Sequence, residues 1–177
     1  VVKTFAELIP VLSSPEIDND SRDDLLRTSL IDMDSAIQDS TIQRPELAGM
    51  GTTFTSFHLT GDQLSLLHIG DSRAYRIRGK KIAQLSHDHT VVQELIDQGR
   101  ITPDEVADHP QRSFLTQALM GKMNIDPILH KFPIEIGDIY FVCSDGLTNV
   151  VDEGKILAAF SENLQDSVNS LIDLTYK

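Results

Sequence analysis

Cysteine is almost missing from this 177-residue sequence. Cys143 is the single one, so no disulfide can close within the chain, which points to a reducing compartment such as the cytoplasm. Cations are scarce too. Fifteen Lys and Arg stand against 27 Asp and Glu, a formal net charge of -12. Such a chain repels phosphate backbones and anionic lipid, so neither nucleic acid nor a membrane surface is expected as a partner. No apolar run approaches the ~20 residues of a spanning helix, and no signal-peptide pattern is present. Repeats, low-complexity tracts and a second domain are also absent. What remains is 40% hydrophobic and 24% charged, ordinary globular usage in a length that suits one α/β domain or most of one.

Periodicity orders the chain. Val1, Val2, Phe5, Leu8, Ile9 and Leu12 recur at helical spacing with no capping residue before them, as if a helix were already in progress. Residues 13–24 are polar and read as a loop. Leu26, Leu30, Met33 and Ile37 then predict an amphipathic helix. After Pro45 the texture turns to strand: residues 51–60, 64–69, 73–77 and 81–85, joined by Gly-containing turns, predict an antiparallel meander. Asp88 is read as the cap of a helix over Val91, Val92, Leu95 and Ile96, and Thr102-Pro-Asp-Glu105 as the opening of another. Residues 128–134 and 139–143 predict two more strands. Ile139-Tyr-Phe-Val-Cys143 is apolar throughout, so both its faces are expected to be buried. The stretch from Asp152 to Lys177 reads as helical.

One arrangement occurs twice. The strand ending at Ile69 runs into Gly70-Asp71-Ser72-Arg73, and the strand ending at Cys143 runs into Ser144-Asp145-Gly146-Leu147. A carboxylate at the end of a buried strand is partly desolvated and needs a compensating cation or donor. A hard divalent ion bound through oxygen is one solution, and the N–H groups of its own turn are another. Other local patterns invite chemistry that their surroundings do not complete. Gly-Asp-Ser opens a family of esterases, but no histidine here has an aspartate three positions before it. Cys143 has Asn149 where a cysteine phosphatase needs arginine, and so reads as a buried strand residue. Asp32-Met33-Asp34 lies within helical periodicity and reads as a solvated face rather than a phosphorylated aspartate pair. His87-Asp88-His89 has the alternation of a zinc site but falls where strand gives way to helix.

Taken together, Ala48-Gly-Met-Gly-Thr-Thr53, His68-Ile-Gly-Asp-Ser-Arg-Ala-Tyr75, Leu85-Ser-His-Asp-His-Thr90, His109-Pro110 with Leu115-Thr-Gln-Ala-Leu-Met-Gly121, and Asp138-Ile-Tyr-Phe-Val-Cys-Ser-Asp-Gly-Leu-Thr148 resemble the bacterial metal-dependent serine/threonine protein phosphatases of type 2C. The resemblance implies an α/β layered fold of two packed antiparallel sheets flanked by helices. It implies hydrolysis of phosphoserine and phosphothreonine in proteins by a water activated on two Mn²⁺ or Mg²⁺ ions, with a third ion in some relatives. By this match Asp145 is a ligand of the metal pair, and Asp71, with Asp145, a ligand of the third, weaker ion. Residues 88–125 match a flap beside the active site. The implied partners are phosphorylated proteins and a serine/threonine kinase or its targets. The family's opening Arg-x-x-Asn-Glu-Asp and Asp-Gly-Met-Gly-Gly segments and its closing Asp-Asn are not in the sequence, and with them go the phosphate-binding arginine, the general acid and most metal ligands. Residues 1–177 are therefore expected to form part of such a domain, inactive alone. The alternative is a phosphatase-like binding module without catalysis.

Overall fold

The computed structural model describes residues 1–122 and 125–176. Positions 123 and 124 of the expected flap, and Lys177 at the end of the expected final helix, lie outside the described residues. The chain folds as helix, sheet, sheet, helix. The first sheet has the order β1-β2-β5, formed by Phe54–Thr60, Gln63–Ile69 and Leu129–Pro133. The second has the order β4-β3-β6, formed by Lys81–Gln84, Arg73–Arg78 and Ile139–Cys143. All pairings are antiparallel.

Period-two alternation assigns the faces. On β2, Leu67 and Ile69 join Leu30, Met33 and Ile37 in one core cluster. These three belong to the long helix Asn19–Gln43, α3. Leu64, Leu66 and His68, on the opposite face of β2, are buried as well, because the second sheet lies there. Phe57 of β1 meets Tyr140 of β6 edge-on at 5.7 Å across that interface. The far side of the second sheet is covered by α5 (Asp145–Thr148), α6 (Glu153–Ala159) and α7 (Leu164–Thr175). Leu147, Val151, Ile156 and Leu171 form the core there, with Ile82, Phe141 and Cys143 packed against them. Arg78 clasps the sheets at one end. Its guanidinium donates to Asp138 at 2.7 Å, to Glu135 at 2.5 Å and to the Pro133 carbonyl at 3.1 Å.

The structure revises several expectations. The opening helix breaks into α1 (Val2–Ala6) and α2 (Ile9–Leu12), since Pro10 has no N–H for an unbroken ladder and suits a first turn instead. Helix α3 starts at Asn19, inside the expected loop, because the Asp18 carboxylate accepts from the Ser21 N–H at 2.9 Å. The meander is broken between β2 and β3, which belong to different sheets. Strand β6 is an edge strand with Val142 50% exposed, so its apolar composition does not mean burial on both faces. Helix α4 (Val91–Asp97) is capped by Thr90, not Asp88. Thr102 and Glu105 do form a capping box, but over a single 3-10 turn at Pro103–Glu105.

Candidate metal-ligand pair and its frame

The crossing from the first sheet to the second is made by Gly70, Asp71 and Ser72. Gly70 has φ +109°, and a Cβ there would lie 2.3 Å from Cγ2 of Thr53, so only glycine fits this passage. Both neighbouring segments hold the crossing. The Thr53 and Ser72 hydroxyls are 2.9 Å apart, and Thr55 Oγ1 lies 3.3 Å from the Ser72 carbonyl. On the other side Gly70 N–H donates to His89 Nδ1 at 3.0 Å, and His89 N–H donates to the Gly70 carbonyl at 2.8 Å.

This frame holds Asp71 within reach of the Asp145 charge. In the β3–β6 register the terminal pair is Arg73 with Cys143. Asp71 lies two residues before Arg73, in a bend, and Asp145 two residues after Cys143, as the first residue of α5, so the paired strand ends bring both carboxylates to one end of the second sheet. Electrostatics agree. Burial raises the Asp71 carboxyl above its ordinary pKa, and the Asp145 charge raises it further. Asp145 is exposed at the start of α5, where Asn149 Nδ2 donates to it at 3.1 Å. Two neighbouring carboxylates, one half-buried and destabilised as an anion, form a hard oxygen donor set suited to a divalent ion that keeps part of its water shell. Among the described residues no group of three or more His, Cys, Asp or Glu is arranged to hold a metal. The pair fits a shared-ligand site for one ion, and a two-ion centre needs donors beyond those described.

Behind the pair is a feature that motif reading missed. Arg73 Nε donates to Asp88 Oδ1 and Oδ2 at 3.1 and 2.8 Å, and Nη2 donates to Oδ2 at 2.7 Å. Asp88 is buried and also accepts from Gln84 Nε2 at 2.8 Å. The charges of Asp88 and Arg73 both reach Asp71, the first raising and the second lowering its pKa. An aspartate before the helical run Val91–Ile96 looks like a cap in sequence, and nothing local reveals an arginine 15 residues away.

The remaining candidates separate. Ser72 has a threonine hydroxyl for a neighbour, not a histidine, so the frame does not build a nucleophilic serine. Burial pushes the Cys143 thiol up to about 11, which keeps it protonated and inert. His87 pairs with Asp97 at 2.8 Å while His89 faces Gly70, so His87-Asp88-His89 converges on no common ion. Of the helical aspartates, Asp32 is exposed as expected, but Asp34 is 1% exposed. Its Oδ1 accepts from Met120 N–H and Gly121 N–H, each at 2.7 Å, which corrects the solvated-face reading for that residue.

Residues 3–95 match the family model described as protein phosphatase 2C. The serine/threonine protein phosphatase PstP of Mycobacterium tuberculosis is 42% identical over 144 residues, covering 81% of this chain and 28% of that protein. The chain thus spans less than a third of that relative's length. A crystal structure of the M. tuberculosis enzyme superposes with a TM-score of 0.84 at 39% identity, covering 97% of this chain and 72% of the other. A second structure, of the PstP catalytic domain in complex with two manganese ions, superposes with a TM-score of 0.84 at 35% identity, covering 98% of this chain and 71% of the other.

Proposed function

Since this chain belongs to the protein phosphatase 2C family, we propose that the whole protein hydrolyses phosphoserine and phosphothreonine in other proteins, using Mn²⁺ or Mg²⁺. The observation that supports this reading is the pairing of β3 with β6, whose terminal pair Arg73–Cys143 stands two residues from Asp71 and from Asp145, with the Asp145 charge reaching Asp71. In this reading both carboxylates are metal ligands. Bound there, divalent cations lower the pKa of a coordinated water and offset charge on the phosphoryl oxygens. The chain's own part is orientation: Thr53, Thr55 and His89 immobilise the Asp71 turn, and Cys143 and the start of α5 place Asp145. Residues 88–125 serve as a flap beside this site, and residues 1–177 as part of the phosphatase domain.

The substrates are phosphorylated proteins, and a serine/threonine kinase acting on the same proteins is the natural counterpart. No helix among the described residues is long and apolar enough to cross a membrane, which is compatible with action in the cytoplasm. The rival reading, an inactive phosphatase-like binding module, is not favoured, because the Gly-Asp-Ser-Arg and Ser-Asp-Gly-Leu motifs are intact and a relative 42% identical over 144 residues is named as a phosphatase.

Hydrolysis of a phosphothreonine peptide by the full-length protein tests the reading. Activity is expected with Mn²⁺ or Mg²⁺ and abolished by EDTA, and Asp145→Asn should lower it on the order of 10²-fold or more. Undiminished turnover in EDTA, or an active Asp145→Asn enzyme beside a dead Ser72→Ala enzyme, overturns it.

A further inference from the structure

We propose that Asp88 is a positioning residue for the Asp71–Asp145 pair, and that it acts by holding the Arg73 guanidinium off those carboxylates. This rests on the cation-site reading above. Arg73 opens β3 two positions after Asp71, and its cross-strand partner Cys143 ends β6 two positions before Asp145. Its guanidinium therefore starts from the same pair of strand ends that carries both carboxylates, and its charge reaches Asp71. An unrestrained guanidinium in this place is the natural counter-ion of two carboxylates, because its planar fork matches them. It would supply a resident positive charge where a divalent ion is to bind.

The structure gives that guanidinium another partner. Its three contacts with Asp88, at 3.1, 2.8 and 2.7 Å, turn it along the sheet toward the segment after β4. Asp88 is itself fixed: its side chain is 7% exposed, Gln84 Nε2 donates to it at 2.8 Å, and the same amide donates to the Ser86 carbonyl at 3.0 Å. The alternative role for Asp88 is a plain structural pin between β3 and residues 86–90. The two roles differ in what happens when Arg73 is removed as well. A pin is lost twice over, whereas a guard becomes unnecessary once its charge is gone.

Mn²⁺ titration of the full-length protein, followed by the electron-spin-resonance signal of free Mn²⁺, separates them. The Asp71-dependent binding step is identified by its loss in Asp71→Asn. Asp88→Asn should weaken that step about tenfold or more, as a full charge released within reach of the ligands requires. The double variant Arg73→Gln/Asp88→Asn should restore it to within about threefold of wild type. Unchanged binding in Asp88→Asn, or a double variant as weak as the single, overturns the proposal while leaving the phosphatase reading intact. A wild-type protein with no Asp71-dependent Mn²⁺ step overturns the cation-site reading and this proposal with it. If circular dichroism shows Asp88→Asn unfolded, the double variant decides alone: folded with wild-type affinity supports the guard, and unfolded or tenfold weaker binding assigns Asp88 to structure.

Discussion

His68 is an imidazole committed to neutrality. Nδ1 lies 2.9 Å from Thr55 Oγ1, Nε2 lies 3.1 Å from the His87 carbonyl, and the ring stacks on His89 at 5.1 Å. Since a carbonyl only accepts, Nε2 carries the hydrogen and Nδ1 accepts from threonine. Burial, with the neighbouring His89 ring adding to it, lowers the pKa from 6.5 to about 4. The sign of the consequence follows from proton counting. Between pH 6.5 and 4 the unfolded chain protonates this residue and the folded chain does not, so stability falls as pH falls through that window. The loss attributable to His68 is roughly 2 kcal/mol between pH 7 and pH 5. Urea unfolding at both pH values checks it, with His68→Gln as the non-titrating control. A variant whose stability falls with acid as steeply as wild type sinks the assignment.

At the scale of elements, helix α3 is tied to the return limb of the 90–121 segment by one buried carboxylate. Asp34 accepts from two successive backbone N–H groups, and an apolar residue there leaves both donors without it. Asp34→Ala should therefore cost about 3 kcal/mol in urea unfolding. Limited proteolysis should also show faster trypsin cleavage at Arg100 and Arg112, because the segment's anchor is gone. Equal stability and equal cleavage would remove the latch from the account. The helix itself was readable from Leu26, Leu30, Met33 and Ile37, all buried, because 3.6-residue periodicity is a local signal. Asp34 was not, because its neighbour on the helix, Asp32, is an ordinary solvated residue and the partners lie 86 and 87 positions away. The same contrast divides the site. Asp71 and Asp145 stood out as carboxylates just beyond two strand ends, and the pairing of β3 with β6 brings those ends together. The Arg73–Asp88 pair and the Gly70 crossing depend on which sheet each strand joins, and hairpin spacing alone does not carry that information. Residues in β2 and β3 alternate as a meander would. Only the packing of β5 against β2 and of β6 against β3 separates them.

At the scale of the molecule, the exposed flank of the second sheet is conspicuously apolar. Strand β6 and helix α7 border a groove of about 620 Å³, and Val142, Leu164, Val168 and Ile172 along it are 46–55% exposed. Among the described residues the outer edge of β6 has no strand partner, and such an edge beside an apolar helix stripe favours pairing with another strand. The 177-residue chain by itself is therefore expected to self-associate at micromolar concentration. Light scattering should report a mass above the monomer, and Val142→Lys/Ile172→Lys should return it to monomer. A strictly monomeric wild-type chain contradicts this.

The register that ends at Arg73 and Cys143, beside Asp71 and Asp145, also says which genetic changes the site can absorb. Side chains alternate across a strand, so inserting or deleting one residue within Arg73–Ile77 or Ile139–Cys143 turns that strand's end to the opposite face and displaces the carboxylate that follows or precedes it. Substitutions along these strands leave that parity untouched, and so do length changes in the turns at residues 79–80 and 136–138. In any lineage carrying this pair, drift in side-chain identity is tolerable along the strands, while frame-preserving indels there are lethal to the site even when every motif letter survives.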